Sequence, residues 1–188
     1  MSEQRHTLAV IVGSTREGRF APVIANWFTR HAESHAHIDV DVIDLDAVRP
    51  YELRPDTEAY AAFAKRVDEA DAFVVITPEY NHSFPAPLKH AIDLLRPQWQ
   101  AKPVGFVSYG GISGGLRAVE QLRLVFAELH ATTVRETVSF ALAGQLFDDR
   151  GELHDPAPAA RAADALLRQL SWWATALRQA RLARPYAA

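Results

Sequence analysis

The apolar positions of this chain switch repeatedly between two periods. Short, nearly continuous apolar runs at 8–12, 38–43, 72–77, 104–108 and 132–138 have the pattern of strands buried on both faces. Between them lie longer stretches with helical spacing, at about 22–33, 58–70, 86–95 and 116–129, with a last one at about 158–181. The order is βαβαβαβαβα. This alternation predicts an α/β fold, a doubly wound five-stranded parallel sheet with helices on both faces. Right-handed crossovers leave few topologies, of which the strand order 2-1-3-4-5 is the commonest at this length; its ligand crevice lies at the carboxyl ends of strands 1 and 3. The segments at 48–57, with Pro50 and Pro55, and at 148–157 read as loops.

Composition narrows the chemistry. With 188 residues, 48% of them hydrophobic, the chain suits one domain over residues 1–188. Its 20 basic and 23 acidic residues leave a net charge of -3, which gives no footprint for nucleic acid. The absence of cysteine excludes disulfides, thiolate nucleophiles and iron–sulfur clusters. No early apolar run is long enough for a leader or a membrane span, so a cytoplasmic protein without a membrane partner is expected. Arg178, Arg181 and Arg184, just before Pro185, read as a solvated helix end.

Three loops at strand ends could carry chemistry. The first, Gly13-Ser14-Thr15-Arg16-Glu17-Gly18-Arg19-Phe20, runs from strand 1 into a helix, so backbone N–H groups, two hydroxyls and two guanidinium forks face the crevice. An anion, best a phosphate, belongs there. Arg19 and Phe20 stand where the Walker A pattern requires Lys and Ser/Thr, so a nucleotide triphosphatase is not expected, and no G-x-G-x-x-G fingerprint is present. A phospho-receiver domain would need acidic residues after strand 1 and an Asp at the end of strand 3, where this chain has Gly13-Ser14 and Thr77-Pro78. The second loop, Pro78-Glu79-Tyr80-Asn81-His82-Ser83, is rigid, polar and aromatic; the N–H groups of Glu79, Tyr80 and Asn81 could meet the polar edge of a flat ring such as an isoalloxazine. The third, Ser108-Tyr109-Gly110-Gly111-Ile112-Ser113-Gly114-Gly115, lets backbone approach a ligand closely. Together they call for a phosphorylated planar ligand.

These motifs, with Leu88-Lys89-His90-Ala91-Ile92-Asp93, resemble the NADPH-dependent FMN reductase family over about residues 7–140. The resemblance implies a flavodoxin-like fold, noncovalent FMN, NADPH or NADH as co-substrate, and a homodimer or homotetramer. It also implies passage of a hydride through FMN to a small-molecule electron acceptor: free flavin, quinone, azo compound or metal oxyanion. By the same resemblance Ser14, Arg16 and Arg19 would hold the phosphate; Thr15 and Phe20 of the same loop are further expected cofactor-binding residues. Pro78, Glu79, Tyr80 and Asn81 would line the ring, with Ser108, Tyr109, Gly110, Gly111 and Ser113 on its other side. No protein acid or base is obligatory for hydride transfer, so no catalytic residue is named. The alternative is a flavodoxin-like electron carrier without a substrate site, which the modest charge disfavours.

Other features are secondary. His31, His35 and His37 include an i, i+4 pair, but no neighbouring carboxylate or thiolate completes a metal set, so no metal is expected. Trp172 and Trp173 cannot both face one core, and Trp27 and Phe28 raise the same question. Leu122, Val125, Phe126 and Leu129 line one helix face and suggest a subunit contact. Glu79 is expected to act through its backbone, with Glu79→Gln nearly silent.

Overall fold

The computed structural model describes residues 5–187. Strands β1 (His6–Val12), β2 (Ile38–Asp44), β3 (Ala72–Pro78), β4 (Pro103–Gly110) and β5 (Thr132–Ala141) form one parallel sheet in the order β2-β1-β3-β4-β5. Helices α1 (Ala21–Glu33), α2 (Leu45–Val48), α3 (Glu58–Glu69), α4 (Ala86–Asp93), α5 (Leu116–Glu128) and α6 (Pro156–Ala183) connect and follow them. The expected topology is present. The segment read as a plain loop at 48–57 instead begins within α2 and includes a 3-10 turn, Pro50–Glu52. Asp44 starts α2 by accepting from the N–H of Asp46.

Period-two alternation divides the core into two layers. Leu8, Val10 and Val12 of β1 and Val74 and Ile76 of β3 pack against Ile24 and Phe28 of α1 and Leu166 and Leu170 of α6. Their neighbours Ala9, Ile11, Phe73 and Val75 point the other way, toward Phe63, Leu88, Leu122 and Phe126. Sequential strands swap sides at β1, and this switch opens the crevice between the ends of β1 and β3.

The aromatic residues resolve in ways that periodicity could not foresee. Trp27 and Phe28 are both buried, because α1 packs on the sheet and also beside α6: Trp27 meets Phe140 of β5 edge-on at 5.2 Å. Trp173 packs on the core and Trp172 is 64% exposed. On α5, Leu122 and Phe126 are buried in the chain's own core, with Val125 and Leu129 packed beside them, so that face is no spare subunit contact. The basic end of α6 is tied down rather than simply solvated. Arg178 and Arg181 pair with Asp71 at 3.4 and 3.5 Å, and Arg181 also donates to the Ala101 carbonyl.

Tertiary packing also supplies a carboxylate to the histidine cluster. Asp164 of α6 lies with its Oδ1 at 2.7 Å from His31 Nε2, which corrects the expectation that no carboxylate stands near.

Candidate functional site

Gly13 closes β1 by donating to the Ile76 carbonyl, and the chain then leaves the sheet. From Ser14 to Gly18, five successive N–H groups make no hydrogen bond within the described residues. The start of α1 has no side-chain cap and no acidic residue in its first turn. Open N–H groups and an uncapped helix start leave positive potential at the mouth of the crevice. Arg16 is exposed and forms no ion pair among the described residues; its guanidinium lies 5.8 Å from the centre of the Tyr80 ring.

Arg19 is different. Its two terminal nitrogens grip Asp44 at 2.7 and 2.8 Å, reach Asp46 at 3.2 Å and donate to the Ser14 carbonyl at 2.7 Å. The expected second phosphate fork is thus committed to holding the loop's shape. Arg19→Ala is expected to lower stability by about 1–3 kcal/mol, since a partly buried bidentate pair is lost and two carboxylates stay behind. Arg16→Ala should leave the urea midpoint nearly unchanged. Equal midpoints for the wild type and Arg19→Ala would refute this assignment.

The second loop departs further from expectation. The N–H of Glu79 donates to the Tyr109 carbonyl and that of Tyr80 to the Ser83 carbonyl, so only Asn81 of the three has its N–H open. Tyr80 and Ser83 form a two-residue hairpin, with Asn81 and His82 at φ 50° and 68°, the backbone of a type I′ turn. The turn lifts Asn81 and His82 into solvent. Gln121 of α5 fastens it from outside, donating to the His82 carbonyl at 2.7 Å and accepting from Ser83 at 2.6 Å.

The third loop is held by side chains rather than presenting them. Ser108 is fully buried, and its hydroxyl donates to the Gly114 carbonyl, as does that of Ser139. Ser108 therefore shapes the loop from below instead of bordering a ligand. Ser113 donates to the Glu79 carboxylate at 2.7 Å, which also accepts from Arg117 N–H and pairs with its guanidinium at 3.2 Å. Gly110 and Gly111 remain at the rim, and Gly111 is exposed.

Glu79 is thus a clasp between two loops through its side chain, contrary to the backbone role expected of it. Burial raises its pKa, but Ser113, Arg117 and His82 outweigh this and leave it below the usual value. A depressed carboxylate stabilises the fold above the ordinary glutamate range and loses that contribution as pH falls through its own lowered pKa. Glu79→Gln can keep one amide oxygen where Oε2 accepts from Ser113 and Arg117 N–H, but it turns the other oxygen into an NH2 donor facing the Arg117 guanidinium and loses the ion pair; FMN affinity should fall less than about tenfold. Loss by orders of magnitude with the fold intact would give the carboxylate a larger role.

Beneath Arg16 the loops converge. The buried Ser14 hydroxyl lies 3.0 Å from the Tyr80 phenol. Tyr109 is buried beside them; burial, followed by the nearby Tyr80, raises its pKa, against weaker opposite pulls from Ser14, Arg19 and Arg16. It stays a protonated donor. Phe20 stands at the head of α1 with its ring toward Tyr109 and Phe147, on the core side. Pro78 is buried at the end of β3. A cleft of about 250 Å³ adjoins the first loop, lined by Thr15, Asp46, Arg49 and Tyr51 among others. Sequence reading missed Asp44, Asp46, Arg117 and Gln121, which no short motif marks.

Among the described residues, open N–H groups, an Arg16 without an ion pair and an uncapped helix start match a phosphate, and the open Asn81 N–H is a donor for the polar edge of a flat ring: the donor set fits FMN.

Comparison with known proteins agrees. The profile of the family described as NADPH-dependent FMN reductase matches residues 7–145. An NAD(P)H-dependent FMN reductase of Schizosaccharomyces pombe is 34% identical over 57% of this chain, a match spanning 60% of that protein. A quinone reductase of Pseudomonas putida is 33% identical over 81% of this chain and 87% of its own length. The flavoenzyme FerB, an NAD(P)H:(acceptor) oxidoreductase from Paracoccus denitrificans, shares the fold with a TM-score of 0.73 at 21% identity, over 90% of this chain and 97% of FerB. With the motifs, the sheet order and the open loop agreeing, the chain belongs to the NADPH-dependent FMN reductase family, the FMN-dependent oxidoreductases that take their electrons from a nicotinamide.

Proposed function

We propose that this chain, as one FMN-binding domain, takes electrons from NADPH or NADH and delivers them to a small acceptor, with quinones as the first class to test. The observation that carries the site assignment is the run of five N–H groups, open among the described residues, beside Arg16, which forms no ion pair among them. Arg16 and the N–H groups of residues 14–18 bind the phosphate. The Asn81 N–H and the Gly110–Gly111 rim border the ring, while Tyr109, kept protonated, offers a donor near Ser14. Bound FMN would supply the two-electron chemistry, alternating between the nicotinamide and the acceptor. Glu79 and Arg19 position the loops.

The experiment is to mix the FMN-loaded protein with NADPH, and separately with NADH, without oxygen. Direct bleaching of the visible flavin bands, reversed by a quinone, is expected. No bleaching without a second reductase would make the chain an electron carrier and sink the proposal.

A homodimer is also proposed, on other grounds than the α5 core face. Ile112, Leu116 and Leu124 are 90%, 52% and 74% exposed, on the third loop and the α5 that follows it. Among the described residues no helix is long and apolar enough to cross a membrane, and a cytoplasmic location is proposed with it. Sedimentation of micromolar protein as monomer alone would end the dimer proposal.

A further inference from the structure

The cluster at the far end of α1 is untouched by the flavin chemistry. His31 lies in the last turn of α1 and His35 just beyond it, so their side chains meet on one side, with ring centres 5.6 Å apart. Asp164 comes from α6, more than 120 residues later in sequence, and lies across from both. Its Oδ1 is 2.7 Å from His31 Nε2 and 3.5 Å from His35 Nε2, and one ligand atom of each of the three lies within 4.8 Å of the others. Two ligands on a common ion at bond lengths of about 2.0–2.1 Å lie roughly 3–3.4 Å apart, a value these two distances bracket. All three residues are partly exposed, so an ion could reach them from solvent.

The surroundings hold the rings in a suitable pose. His35 Nδ1 is 3.1 Å from the His31 carbonyl, a contact that puts its proton on Nδ1 and leaves the Nε2 lone pair toward Asp164. The His31 ring stacks on buried Trp27, with centres 5.9 Å apart and planes 17° from parallel. We propose that His31, His35 and Asp164 form a binding site for a divalent transition metal, Zn²⁺ foremost, that staples α1 to α6. Two imidazoles and one carboxylate suit Zn²⁺ and its borderline neighbours, whereas Mg²⁺ and Ca²⁺ prefer all-oxygen shells. Three protein ligands leave at least one position for water. In the metal-free chain His31 Nε2–H donates to the Asp164 carboxylate; on binding, that proton moves to Nδ1 or to solvent, and the ion takes its place between the two side chains.

The test titrates the full, FMN-loaded chain with Zn²⁺ in a calorimeter and repeats thermal unfolding with and without it. One Zn²⁺ per chain with micromolar or tighter affinity is expected, together with a higher unfolding temperature. His35→Ala and Asp164→Ala should each weaken binding at least about tenfold and abolish the thermal shift, because removing a ligand costs no less than removing an outer partner. His37→Ala, whose Nε2 faces Ser171, should change neither. Millimolar Mg²⁺ should not compete. Each variant's metal-free unfolding temperature and FMN content show that it is folded. No saturable uptake at micromolar Zn²⁺, or uptake that survives Asp164→Ala, would overturn the site and leave a plain hydrogen bond between helices.

Discussion

Gly115→Ala is expected to lower the stability of the chain by about 3 kcal/mol or more. Gly115 precedes α5 at φ 86°, where a side chain is strained in any surroundings. Space is lacking as well. An added Cβ would stand 2.6 Å from Ser108 Cβ and 2.9 Å from the Tyr109 nitrogen, and neither belongs to a flexible side-chain end that could swing away. The strain would have to be relieved by moving the third loop off β4, which would also break the Ser108 to Gly114 hydrogen bond.

Two other glycines serve as controls. Gly18 also has positive φ, but nothing lies within 4 Å of its added Cβ, so Gly18→Ala should cost only the backbone term of about 1–2 kcal/mol. Gly111 has neither the strained φ nor a neighbour in reach, and Gly111→Ala should stay within about 0.5 kcal/mol. Urea titrations of the three variants test the ranking. If Gly115→Ala unfolded at the wild-type urea concentration, the packing of the third loop described above would be wrong.

Arg16→Ala is expected to weaken FMN by about 10- to 150-fold, the cost of one charge-assisted hydrogen bond to phosphate. Riboflavin lacks the phosphate and should be affected far less, so the preference for FMN over riboflavin narrows. Among the described residues Arg16 makes no ion pair, and its guanidinium lies 5.8 Å from the centre of the Tyr80 ring, so its removal should disturb the fold little. Raised salt should weaken FMN binding more in the wild type than in the variant. Titration of both ligands into both proteins gives the answer. Equal losses for FMN and riboflavin would mean that Arg16 shapes the loop or touches the ring, and that the phosphate lies elsewhere.

Arg16 and Arg19 look alike in sequence, three residues apart in one loop, and both invited the same role. What separates them is the sheet. Parallel pairing sets Val12 opposite Asp44, so the end of β2 delivers a carboxylate to the side of the first loop, and Arg19 on that side is neutralised while Arg16 is not. Likewise Pro78 pairs with Tyr109, which aligns the second and third loops and brings Glu79 to Ser113 and Arg117. The same register absorbs the Glu79 N–H that sequence reading had reserved for a ligand.

Five strands, the main helices and the three loops were legible because they depend on local pattern: apolar period, glycine placement and capping act over a few residues. The family was legible because its motifs are short and continuous. Partners of charged and polar side chains depend instead on which distant segments the crossovers bring together. Asp164 beside His31 and His35, Gln121 over the His82 turn, and the burial of both Trp27 and Phe28 all follow from helices laid across the sheet. The sequence by itself determined where ligand-facing loops begin and what they can bind; only the tertiary structure decided which of their donors remain open, because each donor is contested by groups far away in the chain.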